Sequence, residues 1–190
     1  MATRLDRDDR PAPADLHVVV TPMRRRHLRG VLRIEHQVYS RPWSMGLFLG
    51  ELAAPAGRSY VVARIGSSVV GYAGAMAVLD DGHITTVAVD PEWNRFGIGT
   101  RLLACTVRRV VALGVQQLTL EVRMSNTEAQ RLYQRFGFAP AGVRRGYYVD
   151  TNEDAMVMWA HDVASPAYAE RVAAMEAQVP GTTELVGFED

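Results

Sequence analysis

The chain has 190 residues, with 21 Lys and Arg set against 21 Asp and Glu, so its formal net charge is zero. That length is enough for one domain with a sizeable core. The charge balance gives no bulk attraction to nucleic acid or to an anionic membrane, and the single cysteine excludes an internal disulfide framework.

Residues 1–15 are polar, charged and proline-bearing, and are expected to be a disordered tail. Charges run from Arg4 to Arg10 where a signal peptide would need an apolar core, and no apolar run is long enough to span a bilayer. A cytoplasmic protein without membrane association is the expectation. His17 to Val20 reads as a short strand. Met23 to Tyr39 carries Leu28, Val31, Leu32, Ile34 and Val38 at roughly helical spacing, with Arg24, Arg25 and Arg26 as a solvated start. Arg41-Pro42-Trp43-Ser44 breaks this helix, and Ser44 is placed to cap a second one through Leu47, Phe48 and Leu52. A hairpin is expected from Ser59 to Ile65 and Val69 to Leu79, turning at Gly66-Ser67. Asp80-Asp81-Gly82 turns the chain again into the strand His83 to Val89, with His83 itself read as sitting at the turn.

Val87 to Thr100 is the stretch around which the chain is organised. An apolar strand breaks at Asp90-Pro91, a glycine-bearing turn follows, and a helix runs on from Thr100. Such a turn is an anion site: glycines let backbone N–H groups approach a phosphate, and a helix N-terminus supplies the positive end of a dipole. There is no G-x-G-x-x-G, and no lysine follows the glycines as a P-loop requires. Two readings remain, a tight strand–helix connection and a pyrophosphate site for a nucleotide-bearing carrier such as coenzyme A. The following helix, Thr100 to Leu113, is expected to pack Leu103, Val107, Val110 and Val111 inward and to set Arg101, Arg108 and Arg109 nearer solvent. Cys105, among Leu102, Leu103 and Val107, reads as helix packing.

Gln117 to Val122 alternates as a strand, and Ser125-Asn126-Thr127-Glu128 has capping-box spacing ahead of Ala129, Leu132, Tyr133 and Phe136. Strands are expected near Phe138 to Val149 and Ala155 to His161. An appended helix follows over Pro166 to Gln178, and the last dozen residues read as a tail. The resulting division is a tail over 1–15, a domain over 16–162 and a partly helical extension over 163–190.

Taken in order, these motifs resemble the GNAT superfamily of acetyl-CoA-dependent N-acetyltransferases over roughly His17 to His161. The stretches Val87 to Thr100 and Leu120 to Phe138 carry the superfamily. Arg41 to Ser44, Arg144 to Tyr148 and Glu153 to Ala155 resemble its RimI group, which acetylates the N-terminal alanine of a small-subunit ribosomal protein. The resemblance implies an α/β (α+β) fold: a mixed, mostly antiparallel twisted sheet of six to seven strands with about four helices. Acetyl-CoA is the implied cosubstrate, with no metal, and the protein is expected to be a monomer or weak dimer. Val87, Ala88 and Val89 would face the pantetheine arm, Asn94, Arg95, Phe96, Gly97, Ile98, Gly99 and Thr100 the pyrophosphate, and Asn126 the CoA. Asn94 departs from the Arg or Gln that usually opens the pyrophosphate motif.

Glu121 matches the group's proton acceptor and Tyr133 its proton donor; the plainer readings are a solvent-facing strand glutamate and a core aromatic. Trp43, Ser44, Arg145, Tyr147 and Tyr148 would border the acceptor groove, and the three aromatics equally suit ordinary packing. No histidine is assigned a role. The alternatives are an enzyme of the same superfamily acting on a small-molecule amine or a lysine, and a non-catalytic CoA-binding module.

Overall fold

Hydrophobic spacing of two along the strands and of three to four along the helices is resolved into layers in the computed structural model, which describes residues 13–54 and 56–188. Most of the expected N-terminal tail, residues 1–12, lies outside the described residues, and Pro13–Asp15 form a short 3-10 turn. In chain order the elements are β1 (His17–Pro22), α1 (Leu28–Val38), α2 (Met45–Ala53), β2 (Arg58–Ile65), β3 (Ser68–Val78), β4 (Asp81–Val89) and α3 (Ile98–Ala112). There follow β5 (Gln117–Arg123), α4 (Thr127–Arg135), β6 (Ala139–Tyr148), β7 (Glu153–Ala160), α5 (Pro166–Ala177) and β8 (Thr182–Leu185). The described residues thus hold eight strands and five helices, more of each than expected.

One sheet runs in the order β6-β7-β5-β4-β3-β2-β1-β8, antiparallel except for the β4–β5 and β1–β8 pairs. Period-two alternation divides β2 between its two faces. Tyr60 and Val62 join Leu28, Val31 and Ile34 of α1 and Phe48 of α2 on one side. Val61 and Ala63 join Ile98, Leu102 and Cys105 of α3 on the other. A third cluster packs α3, α4 and α5 over β5 and β7 through Leu103, Val107, Tyr133, Phe136, Met158 and Tyr168. No described helix is long and apolar enough to cross a membrane.

Several boundaries differ from expectation, each for a local reason. The first helix begins at Leu28, not Met23, because Arg25–His27 form a 3-10 turn in which His27 Nδ1 accepts from the Arg24 N–H at 3.1 Å. Ser44 does cap α2, accepting from the Leu47 N–H at 3.2 Å. At α4 the cap is Asn126, not Ser125: its Oδ1 accepts from the Ala129 N–H at 3.1 Å, which suits a side-chain amide directly before the helix. The expected C-terminal tail contains β8, whose backbone finds partners along β1 from His17↔Thr182 to Val20↔Leu185. Arg101 is buried, 1% exposed, although it was expected nearer solvent with Arg108.

The feature that positions the site is a failure of pairing. β4 and β5 pair only at Asp81↔Gln117, Gly82↔Leu118 and His83↔Thr119, and then part. A register shift between β3 and β4 leaves Thr85 as the extra residue of a bulge just beyond.

Candidate active site

Where β4 and β5 separate, a cavity of about 420 Å³ opens between the two helical layers. Its floor is β4 from His83 to Val87 and β5 from Glu121 to Arg123. Asn126, Ala129 and Tyr133 of α4 form one wall. Tyr39 to Trp43 and Tyr147 to Asp150 form the others.

Glu121 lies at the parting of the strands with its side chain only 7% exposed. Its two oxygens are held separately, Oε2 at 3.2 Å from His83 Nε2 and Oε1 at 3.2 Å from Arg144 Nη1. This is not the solvent-facing glutamate of the plainer reading. His83 lies within β4, which begins two residues earlier than expected, and so is not at the turn where the sequence reading set it; it also lines the cavity. Burial pushes its imidazole below the ordinary value against the pull of Glu121, and Arg144 pushes the same way as burial. A neutral imidazole in contact with the carboxylate follows at neutral pH. Alternation on β4 places His83 on the face that the seam shares with Glu121, and this cross-strand relation is invisible in one dimension.

Tyr133 is 7% exposed, packed edge-on to Phe138 at 5.9 Å between ring centres, and lines the cavity. Burial holds its phenol well above the usual range, with Tyr39 and Tyr148 adding to the effect. It therefore keeps its proton across the physiological range, available as a donor to the cavity. Core aromatic and cavity wall are here the same residue.

Tyr39, which the sequence reading passed over, closes α1 and reaches across the cavity. Its hydroxyl lies 3.2 Å from Thr86 Oγ1 and donates to the Val87 carbonyl at 3.3 Å. Behind it, buried Glu35 accepts from the Tyr72 hydroxyl and, at 3.2 Å, from the Trp43 N–H, which fixes the loop between α1 and α2. A glutamate on the inner face of an otherwise apolar stripe was the available signal. At the end of the floor Arg123 binds Asp150 at 3.0 Å and Glu153 at 3.1 Å and lies over the Tyr148 ring at 3.9 Å. Trp43, Tyr147 and Tyr148 all line the cavity; Ser44 and Arg145 are not among its lining residues.

Residues Asn94 to Thr100 sit apart from this cavity, at the start of α3. Arg95 and Gly97 both have left-handed backbones, with φ of 69° and 72°. The first helical bond runs from the Arg101 N–H to the Gly97 carbonyl at 3.1 Å, so the amides of Ile98, Gly99 and Thr100 precede the ladder and face outward as a helix start requires. Arg95, 88% exposed, adds a cation beside them. Amide donors, a dipole end and an exposed cation, 3.8 Å from Glu128, suit a diphosphate. The glycines are needed for packing as well as for approach. A Cβ on Gly97 would stand 2.2 Å from Val179 Cγ1, and one on Gly99 would stand 3.3 Å from Leu132 Cδ2. Of the strand beside this turn, Val87 reaches the cavity lining, while Ala88 and Val89 are not among the lining residues. Cys105 is buried in α3 with its thiol pushed up to about 12, mainly by burial, and so is no thiolate nucleophile. Among the described residues, no group of three or more His, Cys, Asp or Glu side chains is gathered as a metal would need.

A sheet parted over a carboxylate and a tyrosine, with an amide-lined helix start apart from the cavity, is the arrangement to be set beside known proteins. Residues 28–138 match the model of the acetyltransferase (GNAT) family. A candidate ribosomal protein bS18-alanine N-acetyltransferase of Bacillus subtilis is 36% identical over 74% of this chain and 93% of its own length. The ribosomal protein bS18-alanine N-acetyltransferase of Escherichia coli K12 is 35% identical over 69% of this chain and 88% of its own. The crystal structure of the Escherichia coli ribosomal-protein-S18-alanine N-acetyltransferase superposes with a TM-score of 0.69 at 30% identity, covering 76% of this chain and 94% of that one. The chain belongs to the acetyltransferase (GNAT) family and is an acetyl-CoA-dependent N-acetyltransferase.

Proposed function

We propose that the chain acetylates the N-terminal α-amine of a protein, most specifically an N-terminal alanine of a small-subunit ribosomal protein, by direct attack in a ternary complex. The observation that carries this reading is Glu121, a nearly buried carboxylate at the parting of β4 and β5, in one cavity with Tyr133. The names of the Bacillus subtilis and Escherichia coli relatives support the choice of acceptor.

An α-amine has a pKa of about 8, so an appreciable fraction is already neutral near pH 7, unlike a lysine at about 10.4. Glu121 then accepts a proton from the attacking amine, directly or through one water. Bound acetyl-CoA supplies the activated acyl group as a thioester. Tyr133 donates its proton toward the departing sulfur. A backbone N–H of the Val87 to Val89 strand faces the acyl oxygen. Asn94 to Thr100 hold the pyrophosphate through the amides at the start of α3. Asn126 spends its oxygen on the α4 cap and so offers its NH₂ to CoA. Trp43, Tyr147 and Tyr148 narrow the groove for a small first residue, with Ser44 and Arg145 at its rim.

The test is acetyl transfer to peptides that differ only in their first residue. Alanine, with serine next, is expected to react on the α-amine, and a peptide whose only free amine is a lysine side chain much more slowly. Equal rates would move the protein to the lysine or small-molecule class, and binding without turnover on any amine would make it a CoA-binding module.

A further inference from the structure

Arg101 is a charge where a helix ordinarily keeps a hydrophobe. It lies one turn into α3 with its side chain buried, 1% exposed, against the C-terminal segment. Removing a guanidinium from water is costly unless its donors are satisfied, and its hydrogen-bond acceptors are all neutral oxygens, with Glu176 acting on it only through space. Nε donates to Thr183 Oγ1 at 2.7 Å, Nη2 to the Pro180 carbonyl at 2.6 Å and Nη1 to the Phe96 carbonyl at 2.9 Å. Two arms of the fork therefore hold the C-terminal segment, and the third holds the glycine turn.

The third bond has a consequence for the turn. In a trans peptide the C=O of Phe96 and the N–H of Gly97 point in opposite directions. Fixing the carbonyl on the buried Arg101 fixes the Gly97 N–H away from it. Gly97 has a φ of 72°, a conformation from which a glycine peptide plane turns over easily. Turned over, it would present a carbonyl oxygen where an anion needs a donor. A second contact restrains the same residue, because Val179 occupies the space where a Cβ of Gly97 would stand, 2.2 Å from Val179 Cγ1. The C-terminal segment is in turn anchored independently of the turn. β8 pairs in parallel with β1, His17 Nδ1 lies 2.9 Å from Thr182 Oγ1, and Arg108 pairs with Glu176 of α5. All of β8, Val179 and Pro180 lie outside residues 28–138, the stretch that matches the family.

We propose that Arg101 and the Val179–Leu185 segment form a strut that holds the Phe96–Gly97 peptide in its anion-accepting orientation, so that a C-terminal extension sets affinity for the nucleotide end of acetyl-CoA. Arg101 is a positioning residue here and does not touch the cosubstrate. The inference rests on the reading that the Asn94 to Thr100 turn holds the pyrophosphate.

The test uses the full chain with Arg101→Met, Arg101→Lys and Thr183→Val. Two probes are compared: CoA, followed by titration calorimetry, and S-acetyl-pantetheine, a donor that lacks the pyrophosphate and nucleotide. Arg101→Met is expected to raise the CoA Kd and the acetyl-CoA KM about tenfold, the worth of one charged hydrogen bond. kcat at saturating acetyl-CoA, the acceptor KM and the kinetics with S-acetyl-pantetheine should stay within about twofold. Arg101→Lys keeps the charge but not the fork and should recover part of the loss. Thr183→Val removes one acceptor without changing shape and should give a smaller rise in CoA Kd; it keeps the test decisive if Arg101→Met does not fold. An unchanged CoA Kd in both Arg101→Lys and Thr183→Val, or an equal loss with S-acetyl-pantetheine, would overturn the strut. Absence of CoA binding by the unsubstituted protein would instead overturn the pyrophosphate reading beneath it.

Discussion

His83 Nε2 and Glu121 Oε2 stand 3.2 Å apart across the seam at which β4 and β5 cease to pair. The last paired residues of the seam thus deliver a neutral imidazole to a carboxylate, and Arg144 holds the other oxygen. One contact on each oxygen holds the Glu121 carboxylate at the edge of the cavity. If Glu121 takes the proton of the attacking amine, Glu121→Gln keeps the size and loses the base. Activity at neutral pH should fall by roughly 10²–10⁴-fold. Raising the pH toward 9 should recover part of it, because the acceptor amine then deprotonates on its own. A loss below tenfold, or no recovery, would remove Glu121 from this role. CoA affinity, measured alongside, should be unchanged.

Tyr133→Phe separates the second proton transfer from the first. The ring is retained against Phe138, so the melting temperature should hardly move. Burial keeps the phenol protonated throughout the working range, so kcat should fall by a similar factor at every accessible pH, with no recovery on the alkaline side. Near-normal turnover with this variant would leave Tyr133 as a wall of the cavity and nothing more.

Much of this arrangement was legible in the sequence. The strand, Gly97 and Gly99, and the helix after them are local: left-handed φ and a helix start are properties of neighbouring residues. Alternation in β5 likewise put Glu121 on the face opposite Leu120 and Val122. What could not be read was long-range. His83 became a site residue through pairing with Thr119, 36 positions on, and that register depends on where two strands part. Arg101 looked like a surface arginine because helical periodicity shows which face is apolar but not that a segment 79 to 82 residues later will cover a charge with a carbonyl and a hydroxyl. β8 carries Thr182, Thr183 and Glu184, a polar run that reads as tail until β1 offers it a parallel edge.

In the proposed reading Arg123 borders the acceptor groove, as Arg101 backs the pyrophosphate turn. Its bonds to Asp150 and Glu153 and its stacking on Tyr148 tie β5 to the β6–β7 hairpin. Arg123→Gln should loosen that wall. The peptide KM is expected to rise about three- to tenfold, the range of one partly exposed charged network, with acetyl-CoA KM unchanged. A rise confined to acetyl-CoA KM would place Arg123 on the wrong side of the site.

Acid stability provides a check remote from catalysis. His27 is buried under α1, 5% exposed, and Nδ1 accepts from the Arg24 N–H. Its pKa is lowered from 6.5 to about 4, first by burial and then by Arg26, Arg64 and Arg24. Its folded value thus lies below the unfolded one. Above pH 6.5 neither state carries the proton and the native state is undiminished; between 6.5 and about 4 only the unfolded chain does, so stability falls as the pH falls; below about 4 the loss is complete. His27→Gln retains an acceptor for the Arg24 N–H and has nothing to protonate. Unfolding followed from pH 7 down to 5, above the range where carboxylates dominate, should therefore show a shallower decline for the variant. His83 is depressed as well and adds a slope of the same sign, so the expected result is a reduction and not a flat line. Parallel curves for the two proteins would mean that the folded chain accommodates a charged His27, contrary to its burial among three arginines.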